Sequence, residues 1–309
     1  MSDISIQYSR NLGEEKEFFL FDESELKGCP ASYIEDRKKD QEDGKVKVTL
    51  KYPCYIPLME RCEVPATRQK MECAFNSRCK EQNTKILEDL VEFRHEKALL
   101  MGYTTHADFV TETRMSGNAT AVHTFLTDLA NKLRPLLESD RAKLLELKKA
   151  ELGKNFDGKL NAWDRSYYCR MLEEKAFQVD HELLREYFPL KVVLEELLKI
   201  YQELLGLTFS ERKDIPVWHE EVKTFQVRDA TTRELVGFFY LDLHPREGKY
   251  GHAACFGLQP ACLYQGTWQV PVAACVCNFA ASTAEKPALL KHNEVTTFFP
   301  RVRSCHAPD

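Results

Sequence analysis

Pro287-Ala-Leu-Leu-Lys-His-Asn-Glu-Val-Thr-Thr-Phe-Phe-Pro300, near the end of a chain of 309 residues, is the stretch on which the fold turns. A proline suits a first helical turn, because its missing N–H would have no intrahelical partner there. Leu289, His292, Val295, Phe298 and Phe299 follow close to three- and four-residue steps, so the stretch predicts a helix with one apolar face. Pro300 is expected to end it, since an interior proline loses a backbone hydrogen bond and crowds the turn before it. The tail from Arg301 to Asp309 carries no helical period on this reading. Upstream the period is two. Val222–Arg228 and Leu235–Leu243 flank Asp229–Glu234 as an antiparallel hairpin, and His252–Leu258 and Trp268–Phe279 read as further strands. Pro271 within the last points to an edge or a bulge.

Before Pro216 the pattern is mostly helical. Pro65–Asn83 and Thr84–Gly102 read as two helices, the second closed by Gly102. Ser116 can cap a long helix through Ala119, Val122, Phe125, Leu126, Leu129, Leu133, Leu136 and Leu137, which Pro135 should kink or break. Ala162–Val179 and His181–Phe188 continue the theme, and Pro189 opens a helix over Leu190–Leu205 that Gly206 stops. At the start, residues 1–12 resemble the end of a helix and Phe18–Phe21 is extended. Asp22 caps a short helix ending at Gly28, and Lys45–Tyr52 alternates as a half-buried strand after the Asp43-Gly44 turn. The expected fold class is mainly α-helical with a small antiparallel β-sheet. Four regions are expected: 1–64, the remainder of an N-terminal helical region; 65–215, helical; 216–299, β-rich; and 300–309, an aberrant tail.

Hydrophobic residues make up 43% and charged residues 29%, ordinary values for a globular protein. A net charge of -5 gives no basic footprint for nucleic acid. No apolar run reaches membrane-spanning length, and the first residues lack a basic segment followed by an apolar one, so a cytoplasmic protein is expected. The cysteines number 11, odd and irregularly spaced, which fits reduced thiols better than a disulfide framework. Cys255, Cys262, Cys275, Cys277 and His252 can be strung into a zinc site on paper. They lack the usual short knuckle spacing, and Cys275 and Cys277 read as small buried residues.

Leu289-Leu-Lys-His-Asn-Glu-Val-Thr-Thr-Phe-Phe299 resembles the start of the zinc helix of the thimet oligopeptidase and neurolysin metallopeptidases. The likeness extends to Val46–Pro53, Cys73–Cys79, His106–Asp108 and Ile200–Leu207. It is strongest in Phe239-Tyr-Leu-Asp-Leu-His-Pro-Arg-Glu-Gly-Lys-Tyr-Gly-His-Ala-Ala-Cys-Phe-Gly-Leu-Gln-Pro260. The resemblance implies an incomplete neurolysin-like fold. Its parent activity would be zinc-dependent cleavage of short peptides in a channel that excludes folded proteins. It also implies that His252, Ala253 and Ala254 line that channel, where a peptide adds a strand through backbone hydrogen bonds. Read alone, His252 is equally a surface histidine beside a glycine turn, and Tyr250 a packed aromatic. His292 and Glu294 match no ligand position and are expected to pack or cap.

Where the family continues His-Glu-Phe-Gly-His, this chain has Pro300, Arg301, Val302, Arg303 and Ser304. That chemistry needs two His one helical turn apart as ligands, with a Glu between them to activate the metal-bound water. The starts at His95-Glu96, His181-Glu182 and His219-Glu220 are followed, four residues past each His, by Leu99, Arg185 and Lys223. No catalytic residue and no metal ligand is therefore assigned, and no cofactor is expected although the family uses zinc. Codons for Phe-His-Glu-Phe-Gly-His-Ala-Met-His-Gln, read from the last base of the Phe codon, can translate as Pro-Arg-Val-Arg-Ser-Cys-His-Ala-Pro-Asp. Those are residues 300–309. A frame change at the zinc motif is the expectation, and sequencing the transcript tests it. A chain so altered is expected to be inactive, or a non-catalytic peptide- or protein-binding fragment. It is also expected to expose the apolar faces of strands 235–243 and 268–279, inviting self-association. Short peptides are the expected partners, with no nucleic acid and no membrane.

Overall fold

The structure is a computed structural model that describes residues 2–38, 44–178, 181–282 and 287–304. Two compact units divide the chain, Met1–Gln178 and Val179–Asp309. The first contains α1 (Ser2–Glu14), β1 (Phe18–Phe21), α2 (Ala31–Lys38), β2 (Val46–Thr49), α3 (Tyr52–Arg61), α4 (Pro65–Asn76), α5 (Lys80–Leu100), α6 (His106–Thr111), α7 (Ala119–Leu152) and α8 (Arg165–Phe177). The second contains α9 (His181–Arg185), α10 (Leu190–Leu205), β3 (Leu207–Arg212), β4 (Lys223–Asp229), β5 (Leu235–Asp242), β6 (Ala254–Gln259), β7 (Cys262–Tyr264), β8 (Thr267–Gln269), β9 (Val272–Val276) and α11 (His292–Ser304). A mainly helical chain is what the periodicity predicts.

In the first unit the alternation of Val46-Lys-Val-Thr49 sends Val46 and Val48 inward while β2 pairs antiparallel with β1. These valines join Phe21, Leu26, Tyr33, Leu58, Met59 and Met71 in one core. Beside it lies a buried ionic network. Arg68 donates to the Asp164 carboxylate at 3.1 Å and to the carbonyls of Cys62 and Trp163, and Lys148 reaches the other Asp164 oxygen at 2.8 Å. Two helix boundaries differ from expectation. α4 stops at Asn76, because Cys79 turns left-handed (φ 54°) and α5 starts at Lys80; Asn83 lies within α5, tied to the Tyr8 carbonyl of α1. α7 is capped by Asn118, whose Oδ1 accepts from Ala121 N, and runs unbroken through Pro135. Residues 123–143 are exposed on every side, so water can satisfy the carbonyl that the proline leaves unpaired.

In the second unit Pro189 leads into α10 and Gly206, at φ 64°, ends it, as the sequence predicts. The β-rich part starts earlier than Pro216: β3 follows Gly206 directly and pairs with β4. The β4–β5 hairpin forms as read. The strand order is β3-β4-β5-β9-β6, and β9 runs parallel to β5, so the sheet is mixed rather than wholly antiparallel. The chain leaves β5, lays down β6 at the margin, makes the β7–β8 hairpin and returns between β5 and β6. Pro271 therefore precedes an interior strand, not an edge. It splits the expected Trp268–Phe279 strand in two, with Phe238 N donating to the Pro271 carbonyl. One sheet face buries Phe225, Val227, Phe239, Leu241 and Cys275 against Leu194, Leu197 and Leu198 of α10 and Phe298 and Val302 of α11.

α11 departs from expectation at both ends. Residues 288–290 lie extended instead of helical, because Leu190 N donates to the Ala288 carbonyl and Leu290 N to the Phe188 carbonyl. The helix starts at His292, with Glu294 Oε2 accepting from Lys291 N at 2.7 Å, so Glu294 caps. It passes Pro300 and reaches Ser304. The reason is Val302, fully buried, which extends the stripe of Val295, Phe298 and Phe299 by one turn. The expected bare strands are likewise covered: Phe239, Leu241, Ala274 and Cys275 are buried. Trp268, at the start of the second expected strand, is exposed, as are side chains along α7 and Phe256, Leu258 and Leu263.

Candidate functional site

β6 is the outer strand of the five-stranded sheet, paired with β9 on one side. An outer strand presents alternate backbone N–H and C=O groups outward, a template for one more strand. Two interactions fix where β6 begins. The first is at Asp242, the last residue of β5, which is buried. Its carboxylate accepts from Arg246 Nη1 (2.7 Å) and Nη2 (2.8 Å), from Lys249 Nζ (2.7 Å) and from Trp218 Nε1 (2.9 Å). Lys249 also donates to the carbonyls of Asp242 and His244. Burial alone would push the Asp242 carboxyl up. The hydrogen bonds from Arg246, Lys249 and Trp218 outweigh it and hold the group well below the usual carboxylate range. Burial lowers the Lys249 ammonium, against the pull of Asp242. The second interaction is Asn278 Nδ2 donating to the Tyr250 carbonyl at 2.9 Å. Together these pin the loop 243–251 that delivers the chain to the edge.

His252, Ala253 and Ala254 come together at the mouth of this strand. His252 is exposed, Ala253 is half-buried against the core, and Ala254 opens β6 opposite Val276. Tyr250 stands edge-on to Phe256 at 5.5 Å between ring centroids and 5.7 Å from the His252 ring. Phe256 and Leu258, both exposed, continue the edge outward. The register of β6 against β9 shifts between Gly257 and Gln259, leaving Leu258 unpaired in the ladder, an irregularity that the alternation in the sequence does not announce. Cys255 turns the other way, opposite buried Cys275.

No group of three or more His, Cys, Asp or Glu among the described residues is arranged to hold a metal ion. Cys275 and Cys277 lie buried with their sulfurs 3.9 Å apart. The hydrogen bond with the Cys275 thiol, and burial after it, push the Cys277 thiol far up, which disfavours the thiolate a metal requires. His219 Nδ1 accepts from Glu221 N, and His292 packs on Phe188. On α11, the positions after Phe299 bring Pro300, Arg301 and Val302, a residue without a donor, an exposed cation and a buried hydrocarbon. None of these fits a zinc ion.

The second unit thus combines a helix-backed sheet with an outer strand, β6, that begins beside a group of aromatic rings. Residues 58–300 match Peptidase family M3, and the chain belongs to that family. It is 40% identical over 310 aligned positions to saccharolysin of Saccharomyces cerevisiae, covering 96% of this chain and 43% of the relative. It is 38% identical to the thimet-like oligopeptidase of Dictyostelium discoideum (97% and 46%) and 36% identical to oligopeptidase A of Escherichia coli (97% and 46%). The chain thus spans under half the length of these curated relatives. Val302, at the position where the resemblance leads one to expect the Phe of His-Glu-Phe-Gly-His, is buried. Among the described residues no helix is long and apolar enough to cross a membrane.

Proposed function

We propose that this chain binds short extended peptides along β6 without hydrolysing them. The carrying observation is the outer position of β6, with Tyr250, His252 and Phe256 grouped at its start. A peptide laid antiparallel or parallel to β6 would gain main-chain hydrogen bonds, and the aromatic group would favour an apolar side chain at one alternate position. Hydrolysis is absent from the proposal because nothing at residues 300–304 can activate a water molecule or polarise a carbonyl through a metal. The names of two of the relatives, thimet-like oligopeptidase and oligopeptidase A, support peptides as the ligand class.

The test is fluorescence anisotropy with labelled peptides of about ten residues, followed by mass spectrometry of the same samples and metal analysis of the desalted protein. Saturable binding with intact peptide and no retained zinc is the expected result. Cleavage that tracks stoichiometric zinc would refute the non-hydrolytic reading. Absence of binding would refute the peptide site.

A further inference from the structure

The cysteines among the described residues are all free thiols. One pair in the first unit is set apart by the backbone that carries it. Glu63 N donates to the Lys27 carbonyl at 2.7 Å, and Lys27 Nζ pairs with Glu63 Oε2 at 2.9 Å. Gly28 turns at φ 90°, and a Cβ there would sit 2.5 Å from the Arg61 carbonyl oxygen. The segments Lys27–Cys29 and Arg61–Glu63 thus touch main chain to main chain. Cys29 follows that contact on one segment and Cys62 lies within it on the other. Both pack in the core that holds Phe21 and Val46, and their thiols share a hydrogen bond.

The two sulfurs are not equivalent. Cys62 is fully buried and Cys29 half-buried, so the approach from solvent is on the Cys29 side. Protonated, Cys62 donates to the Glu25 carbonyl at 3.3 Å; ionised, it accepts from the Cys29 thiol. The hydrogen bond from Cys29 outweighs burial and, with the nearby Arg68 guanidinium, holds the Cys62 thiol below its ordinary range. Arg68 is fixed there by donating to the Cys62 carbonyl at 2.7 Å. The other close pair differs. The Cys275 and Cys277 sulfurs are 3.9 Å apart, but both are fully buried and stand two residues apart on extended chain. Two such steps separate the Cα atoms by about 6.6 Å, near the upper limit for a disulfide.

We propose that Cys29 and Cys62 form a disulfide within the chain when it meets hydrogen peroxide or another small hydroperoxide, with Cys62 oxidised first. The Cys62 thiolate attacks one peroxide oxygen. The O–O bond breaks, Cys62 becomes a sulfenic acid, and the leaving hydroxide takes up a proton as water. The Cys29 sulfur then attacks the Cys62 sulfur. The S–S bond forms, the S–O bond breaks, and a second water leaves with the Cys29 proton. Two thiols lose two electrons in all, and one peroxide becomes two waters. The bridge ties together the two ends of the stretch that carries α2, β2 and α3. It involves no residue of the second unit, so it stands or falls apart from the peptide reading.

The test treats the reduced, folded chain with about ten equivalents of hydrogen peroxide, blocks the remaining thiols with iodoacetamide and digests with trypsin without reductant. Peptides 28–37 and 62–68 are expected to appear joined, two hydrogen atoms lighter than their sum, at roughly ten times the yield of any other linked pair. In folded Cys29→Ser the 62–68 peptide is expected to gain oxygen instead, and in folded Cys62→Ser the 28–37 peptide is expected to keep its thiol. The wild-type linkage needs no substitution, so the bridge is tested even where a variant fails to fold. Wild-type peptides left unlinked, linked only in urea, or linked below the yield of another pair would each overturn the proposal. An unoxidised 62–68 peptide in Cys29→Ser, or oxygen on 28–37 in Cys62→Ser, would overturn the order of attack.

Discussion

Asp242 shows how one side chain can fix the geometry of a whole edge. It is buried with two cations and an indole N–H on its two oxygens. Asp242→Asn keeps the shape but strands Arg246 and Lys249 without a counter-charge. The expected loss is about 3 kcal/mol, read from the urea midpoint. The pH dependence follows from the same pair. The folded carboxyl is held below its unfolded value, so its contribution is complete above the unfolded pKa of about 4 and is lost as pH falls toward the folded value. Wild-type stability should therefore fall below pH ~4 more steeply than that of Asp242→Asn. A different residue limits the sheet interior. A Cβ on Gly237 would sit 2.7 Å from the Pro271 carbonyl oxygen, so Gly237→Ala must push β9 away from β5. That change should cost about 1–3 kcal/mol, measured by denaturation. Neither role was legible in the sequence. Asp242, Arg246 and Lys249 lie up to seven residues apart across the end of a strand and a turn, and only the fold brings them together.

Among the elements, α11 decides most. The local reading ended it at Pro300, and an interior proline does cost about 3 kcal/mol. Burying Phe298 and Val302 against the sheet returns about 2 kcal/mol each, enough for packing to win over propensity. Val302→Ala should lower stability by about 1–3 kcal/mol, whereas Pro300→Ala should raise it by a similar amount, both read from urea midpoints. An unchanged midpoint for Val302→Ala would mean that the last turn of α11 does not pack. α7 makes the same point in reverse. The proline expected to kink or break it is tolerated because residues 123–143 stand in water, where their apolar side chains are exposed too. The β4–β5 hairpin and α10 were legible because local signals and tertiary packing agree: a period of two across a turn, and a proline start with a glycine stop.

At the scale of the whole molecule, what matters is which strand ends up outermost. The insertion of β9 between β5 and β6 leaves β6 at the margin with its aromatic rim. If a peptide adds there, amide hydrogen exchange of residues 254–259 should slow on ligand addition, while that of β3, the opposite margin, stays unchanged. Phe256→Ala should weaken binding roughly tenfold through loss of one aromatic contact. Equal protection of both margins would point to general stabilisation and not to a site.

The sequence by itself determined the class of fold, the family and the absence of a His-Glu-x-x-His pair, because periodicity, segment likeness and residue identity are local properties of a chain. It also marked His252, Ala253 and Ala254 as a place to look. The tertiary structure alone decided the strand order, the parallel β5–β9 contact, the continuation of α11 through Pro300 and the convergence on Asp242. Each of these depends on free energy gained between residues far apart in the chain, which no local pattern encodes.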